Sequence, residues 1–101
     1  MDKIVIDLGV KRKGQLNESW LAMLGGWVEY FLKGLNLSSV SVRGTQSEVD
    51  SFVGALKSEK RHLDLAVSLG LNDPRVLNDK MKLMSAIQNF ERQTGIAWPV
   101  K

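Results

Sequence analysis

Apolar residues recur at two different spacings along the chain, and each change of spacing marks the end of one predicted element. Residues 3–8 and 37–43 are rich in β-branched side chains, with apolar residues at every second position. This alternation predicts two short strands, and Gly9 and Gly44 follow them as turn residues. Because a helical pattern lies between the strands, a β-α-β unit is possible.

The segment between the strands predicts an amphipathic helix from Glu18 to about Lys33. Asn17 is a suitable N-cap and Gly34 is a stop signal. Its apolar residues cover an arc of about 200°, although a surface helix needs only about 100°. They are Leu16, Trp20, Leu21, Met23, Leu24, Trp27, Val28, Tyr30, Phe31, Leu32 and Leu35. We expect the excess to be buried by several elements, by another subunit or by a membrane surface.

Two adjacent glycines, Gly25 and Gly26, lie on the narrow face of this helix with Ser19 and Ala22. Each glycine costs about 1 kcal/mol relative to Ala in a continuous helix. Small residues there let another backbone approach closely, and a kink is the competing explanation. The sequence leaves both alternatives open.

A second helix is predicted from Thr45, which forms a capping box with Glu48, to the stop residue Gly70. The stripe expected to be buried contains Val49, Phe52, Val53, Leu56, Leu63 and Val67. Leu65 and Leu69 lie on the opposite face. A helix of this length is long for so small a domain, so we expect part of it to project beyond the core.

A third helix is predicted from Pro74 to about Thr94, with Asp73 as its cap and Gly95 at its end. One apolar stripe contains Val76, Leu83, Ile87 and Phe90, and an adjoining one contains Leu77, Met81 and Met84. The short connection over residues 70–73 predicts an antiparallel αα-hairpin. The apolar end of the chain, with Trp98, is expected to dock on its own chain or on a neighbour.

These elements predict a single domain over residues 1–101, mainly α with a small β element (α+β). One amphipathic helix lies between two short strands, and the antiparallel αα-hairpin follows. No run of about 18 apolar residues predicts a membrane span, and residues 1–4 do not resemble a signal peptide. The expected location is therefore the cytoplasm.

Chemistry-bearing motifs are sparse. The chain has no Cys, no phosphate-binding loop and one histidine, His62, which is spaced i, i+3 from Glu59. Such a pair is one half of a carboxylate-bridged di-metal site, and only oligomerisation could supply the other half. A charged helix face with local ion pairs explains the pair better. We expect no catalytic residues, no metal and no cofactor, and the chain is predicted not to be an enzyme.

The charge pattern gives one alternative function. The net charge is +3, and basic residues cluster at 11–13 and at 57–61. A nucleic-acid-associated protein would use them for phosphate contacts, although dedicated nucleic-acid binders gather their cations on one face. The residues concerned are Lys11, Arg12, Lys13, Lys57, Lys60 and Arg61.

Four motifs carry a family resemblance: residues 42–45, 59–61, 71–75 and 89–99. The most specific is Gly95-Ile96-Ala97-Trp98-Pro99 after a helix end. The second half of the chain resembles short uncharacterised proteins of tailed bacteriophages, notably marine ones. The resemblance implies a virion or virion-assembly component, located in the host cytoplasm or the virion, and it names no activity. It does not extend to the first 40 residues.

The expected function is therefore that of a non-catalytic structural or assembly protein, acting through contacts with itself, as a homo-oligomer, and with other structural proteins. Exposed apolar residues and Trp are typical of such interfaces. The candidate interface residues are Trp20, Trp27, Phe31, Leu65, Leu69 and Trp98. A nucleic-acid partner is the less favoured alternative. A membrane-surface role through the first helix ranks last, because that helix carries only Lys33 as a cation.

Overall fold

The computed structural model describes residues 4–33 and 40–99. Strand β1 spans Ile4–Asp7, helix α1 Glu18–Leu32, strand β2 Val40–Arg43, helix α2 Gln46–Leu69 and helix α3 Pro74–Thr94. The chain is mainly helical with a small β element, which confirms the predicted α+β class. The predictions for residues 1–3, 34–39 and 100–101, including the stop at Gly34, lie outside the described residues.

The two strands pair in parallel, with Ile6 opposite Val42. The pairing is extended by a hydrogen bond of 2.8 Å from the Leu8 amide to the Arg43 carbonyl. Because α1 connects two parallel strands, the first half of the chain is a β-α-β unit. Ile6 and Leu8 are fully buried and Val5 is exposed, so the alternation along β1 separates a core face from a solvent face.

Helix α1 begins where the Asn17 side chain accepts a 2.8 Å hydrogen bond from the Trp20 amide. Its buried residues are Leu24, Val28 and Phe31. The residues on both sides of this line, Trp20, Leu21, Trp27 and Leu32, are half-buried against the same core. Several elements of the chain therefore cover much of the wide apolar arc, and Met23 and Tyr30 remain exposed.

The glycines of α1 lie in a continuous helix. A Cβ atom at Gly25 would be 3.6 Å from the Cβ of Pro99, while the same atom at Gly26 would meet nothing within 4 Å. Pro99 therefore lies against α1 at Gly25, at a distance that would also accommodate the Cβ of an alanine.

Helix α2 begins with the predicted capping box. Thr45 Oγ1 accepts from the Glu48 amide at 3.2 Å, and Glu48 Oε1 accepts from the Thr45 amide at 2.8 Å. All the residues that α2 buries lie between Glu48 and Glu59, namely Glu48, Ser51, Phe52, Ala55, Leu56 and Glu59. The rest of the helix extends past the main core, as its length predicted.

The predicted burial of Leu63 and Val67 is wrong, because Leu63 is 42 % exposed and Val67 is 87 % exposed. The side of α2 that meets α3 continues from Glu59 through His62, whose side chain is only 14 % exposed. Leu63 and Val67 are therefore left on the flank of the contact between the helices.

Contacts between α2 and α3 run in opposite order along the two helices. Phe52 lies early in α2 and Phe90 late in α3, and the centroids of their rings are 5.8 Å apart. Further along α2, the Nε atom of Arg61 lies 3.3 Å from Oδ1 of Asp79, a residue early in α3. This order is the one that an antiparallel pair of helices produces. Val76, Leu83 and Phe90 of the first predicted α3 stripe are buried and Ile87 is half-buried, whereas the second stripe is exposed.

The segment after α3 folds back into the core. Gly95 adopts the left-handed conformation that ends the helix. Beyond it Ile96 and Trp98 are almost completely buried. The centroid of the Trp98 ring lies 5.2 Å from that of Phe90, in an edge-to-face arrangement, and 6.1 Å from that of Phe52. Its amide donates a 2.8 Å hydrogen bond to Glu91 Oε2. Trp98 thus docks on its own chain.

Candidate functional site

The basic loop between β1 and α1 is tied to the fold by ion pairs. Arg12 donates from Nη2 to Glu48 Oε1 at 2.6 Å and from Nε to Glu48 Oε2 at 3.1 Å. Lys13 donates to Asp7 Oδ2 at 2.7 Å, while Asp7 Oδ1 accepts from the Gly9 amide. The bonds from Arg12, and then those from Thr45, hold the pKa of Glu48 below its usual value. The bond from Lys13, followed by the Gly9 amide, lowers the pKa of Asp7.

These ion pairs leave fewer of the predicted nucleic-acid-binding residues available for phosphate contacts. Arg12 and Lys13 already have carboxylate partners, and the aliphatic part of Lys11 packs over Gly95. Arg61 lies against Asp79, while Lys60 is exposed. A cation that is already paired within its chain has less to gain from a phosphate. The loop therefore anchors the β-α-β unit to the start of α2.

The six predicted interface residues do not form one surface. Phe31 and Trp98 are core residues, so their prediction as interface residues is wrong. The physical reason for Trp98 is the fold-back after Gly95, which packs its ring against those of Phe52 and Phe90. Trp20 and Trp27 are half-buried on α1.

Leu65 and Leu69 lie at the other end of the molecule, half-buried beside α3. They line a surface cavity of about 320 Å³ together with basic residues of both helices. The other lining residues are Arg61, Arg75, Asn78, Asp79 and Lys82. The side chains of Leu65 and Leu69 are thus partly covered by other residues of the same chain.

The most exposed apolar side chains of the described residues include five that lie together on α2 and α3. We call them the distal hairpin face: Leu63, Val67, Leu77, Met81 and Met84. Spacings of i, i+4 on α2 and of i, i+4, i+7 on α3 place each set in a row along one side of its helix. The sequence signal for this face was the adjoining apolar stripe on α3, which the structure shows to be exposed.

A groove separates the two rows of this face. It has a volume of about 320 Å³ and an apolar lining formed by Leu63, Leu83, Met84 and Ile87. Glu59, His62 and Lys80 complete it. We call this cavity the hairpin groove. Since Leu63 and Met84 both line it, the rows from α2 and α3 meet there.

Charged residues of both signs lie at the groove. Glu59 and Lys80 both line it, and Glu59 is buried. Lys60 and Asp64, which are both exposed, lie one turn apart on α2. The lining of the groove is therefore mainly apolar, with one acidic and one basic side chain besides His62.

The Glu59–His62 pair lies at the contact between the helices, with His62 Nδ1 3.6 Å from Asp79 Oδ2. Within residues 4–33 and 40–99, no group of three or more metal-ligating side chains has the geometry of a metal site. None of the helices in those ranges is long and apolar enough to cross a membrane.

Comparison with known proteins found no protein-family match, no similar curated protein and no similar solved structure.

Proposed function

We propose that the chain is a non-catalytic structural or assembly protein that acts through protein–protein contacts made by the distal hairpin face. Its partners would be copies of itself or other structural proteins, as in a bacteriophage virion. The observation that carries the proposal is the exposure of five large apolar side chains in two rows on adjacent helices. Soluble monomers seldom expose contiguous apolar surface of this kind unless another molecule covers it.

The composition of the face supports a protein partner. Methionine is enriched in protein interfaces, because its flexible side chain adapts to different surfaces. Met81 is 69 % exposed and Met84 is 52 % exposed, on the same side of α3. Exposing both to water would bring the fold no stability, whereas burying them against a partner would remove that apolar surface from water.

The nucleic-acid alternative has less support. Of its residues, Arg12, Lys13 and Arg61 already have carboxylate partners in the chain. The remaining candidates, Lys11, Lys57 and Lys60, are exposed but are divided between the loop before α1 and helix α2. Dedicated nucleic-acid binders gather their cations on one face.

Site-specific photo-cross-linking tests the proposal. A photoreactive amino acid is placed at Val67 or Met81, and in a control protein at Gln93, which is exposed on α3 outside the face. Irradiation is carried out in the cells that normally make the protein. We expect protein adducts of discrete mass from positions 67 and 81 and none from position 93.

Two results would contradict the proposal. One is the same adduct pattern from all three positions, which would mean that the face has no preferred partner. The other is a set of adducts that nuclease digestion removes, which would support the nucleic-acid alternative instead.

A further inference from the structure

We infer that the outer edge of strand β2 pairs with the same edge of a second copy of the chain, which joins two two-stranded sheets into one of four strands. This contact uses none of the residues of the distal hairpin face, so the inference goes beyond the proposed function. It rests on three features of β2: its outward main-chain groups, the partial exposure of its valines and a sequence that suits antiparallel self-pairing.

The register of the sheet shows which main-chain groups point outward. The Leu8 amide donates to the Arg43 carbonyl, so these two residues turn their groups toward each other. Because successive residues of a strand point these groups to alternate sides, Val40 and Val42 direct their N–H and C=O groups away from β1. Among residues 4–33 and 40–99, no further strand and no other main-chain group bonds to them. Such a row of donors and acceptors is a template for another strand.

The apolar side chains of β2 are only partly covered. Ile6 is fully buried, whereas Val42, which lies opposite it on the same face of the sheet, is half-buried. Val40 is half-buried too, and both valines pack against the core. Coverage of this face therefore decreases from β1 to β2, and a strand added beside β2 removes more of both valines from water.

The outer edge of β1 suits an added strand less well. Its outward main-chain groups belong to Val5 and Asp7, and the Asp7 side chain is held by Lys13 at 2.7 Å and by the Gly9 amide at 2.8 Å. Charged side chains, lysine above all, commonly protect sheet edges from pairing. Strand β2 contains neither Lys nor Pro, and its one charged residue, Arg43, is its last.

The sequence of β2 favours a second copy as the added strand. A two-fold axis at Ser41 pairs Val40 of each copy with Val42 of the other, and their outward groups then form about four hydrogen bonds. Valine faces valine on the core side, and β-branched cross-strand pairs stabilise a sheet. Ser41 faces its own copy on the other side, while the two Arg43 side chains lie at opposite ends of the pair. The charges of the strand therefore do not oppose this pairing.

Sedimentation equilibrium measures the association. Between about 10 µM and about 1 mM, we expect the mass to rise from that of a monomer toward that of a dimer, because so small a contact supports only weak binding. Val42→Pro removes an outward N–H that β1 does not use, and it should abolish the dimer. The matched control Val5→Pro makes the same change at the outer edge of β1 and should leave the dimer fraction unchanged. Circular dichroism checks that both variants are folded.

Substitutions at Ser41 test the two-fold arrangement without removing a main-chain donor. This side chain lies on the face opposite to Val40 and Val42, so its replacement spares the core. Ser41→Lys and Ser41→Glu should each weaken self-association about threefold or more at about 50 mM salt, since like charges then face each other across the axis. An equimolar mixture of the two variants should associate more tightly than either variant alone.

NMR tests the pairing in the unaltered protein. The amides of Val40 and Val42 should exchange with solvent more slowly at about 1 mM than at about 50 µM, while the Val5 amide exchanges at the same rate at both concentrations. In a mixture of ¹³C-labelled and unlabelled chains, the Hα atom of Ser41 should show a cross-peak with the Hα atom of Ser41 in the other copy. The Cα atoms of such a pair without direct hydrogen bonds are only about 4.5 Å apart.

Several results would overturn the inference. One is a monomer mass at about 1 mM, and another is a dimer that Val42→Pro and Val5→Pro affect equally. Failure of the mixed Ser41 variants to associate more tightly than each alone would exclude the two-fold pairing. Slow exchange of the Val40 and Val42 amides at every concentration would mean that the chain itself covers the edge. Because the cross-linking at Val67 and Met81 reports on the distal hairpin face alone, failure here is distinguishable from failure of the proposed function.

Discussion

Replacing Trp98 by Ala tests whether the end of the chain belongs to the folding core. The ring is 2 % exposed and contacts two aromatic rings that are themselves fully buried, Phe52 and Phe90. Removing a buried Trp side chain costs about 3–5 kcal/mol, because the apolar burial is lost and a cavity remains. A domain of this size has a total stability of about 5–15 kcal/mol, so the variant should stay folded at 25 °C with a midpoint lower by on the order of 15–20 °C.

Two companion variants remove less and more of the same core contacts than Trp98→Ala does. Trp98→Phe keeps most of the ring contacts and removes Nε1, which is buried and has no hydrogen-bond acceptor among the described residues. It should cost about 1 kcal/mol or less, since losing an unsatisfied donor offsets part of the lost volume. Deleting residues 96–101 also removes Ile96, which is fully buried, and should bring the unfolding free energy close to zero.

The assay is urea unfolding followed by far-ultraviolet circular dichroism, because substituting a Trp alters the fluorescence signal itself. A cost below about 1 kcal/mol for Trp98→Ala would refute the placement of the ring in the core. It would favour the other alternative that the sequence left open, in which the segment with Trp98 docks on a neighbouring chain.

Substitutions at four further positions have predictable effects on stability. Gly26→Ala should stabilise the protein by about 0.5–1 kcal/mol in thermal unfolding, since the added Cβ meets nothing, whereas Gly95→Ala should destabilise it because φ there is +71°. Thr45→Ala, which removes the capping-box acceptor, should cost about 0.5–2 kcal/mol in the same assay. Acid should destabilise the fold, because Arg12 lowers the pKa of Glu48 in the folded state. The stability that this ion pair contributes is complete above the unfolded-state pKa of Glu48 and is lost as pH falls through the lower folded-state pKa. Glu48→Gln should flatten the dependence of stability on pH below about pH 5, and an unchanged pH profile would contradict the role given to the ion pair.

Most of the secondary structure could be predicted because local signals are strong in this sequence. The capping box at Thr45, the Asn17 cap, and Pro74 and Gly95 at the two ends of α3 act within one helical turn. Such signals need no knowledge of the rest of the fold. The parallel pairing of the strands follows from a helix lying between them.

Burial was harder to predict, because periodicity shows which residues share a face and not what covers that face. The predicted α2 stripe runs from Val49 to Val67 and is interrupted by Lys60, and the core covers only the part before Lys60. For helix α1 the wide arc left three alternatives open, namely burial by several elements, by another subunit or by a membrane surface, and much of the arc is covered within the chain. In both helices the covering element is distant in sequence, so the pattern of the helix itself does not reveal it.

The distal hairpin face was not predicted. None of its five residues was among the predicted interface residues, and Leu63 and Val67 were expected to be buried, whereas the structure exposes both. The tail Trp suggested an interface for the wrong reason, because a fold-back after a left-handed glycine cannot be distinguished from a free tail in a single sequence. The pairing of Arg12 with Glu48 joins residues 36 positions apart, so charge clustering alone could not reveal it.

The central claim is that the distal hairpin face serves contact and not folding. The most direct test is the unfolding free energy of the triple variant Val67→Gln, Leu77→Gln, Met81→Gln, which changes the three most exposed side chains of the face. Glutamine retains good helix propensity, so helix stability is little changed. The account predicts a loss of no more than about 1 kcal/mol, in keeping with surface substitutions. A loss above about 3 kcal/mol would show that these side chains stabilise the fold, and would contradict the claim.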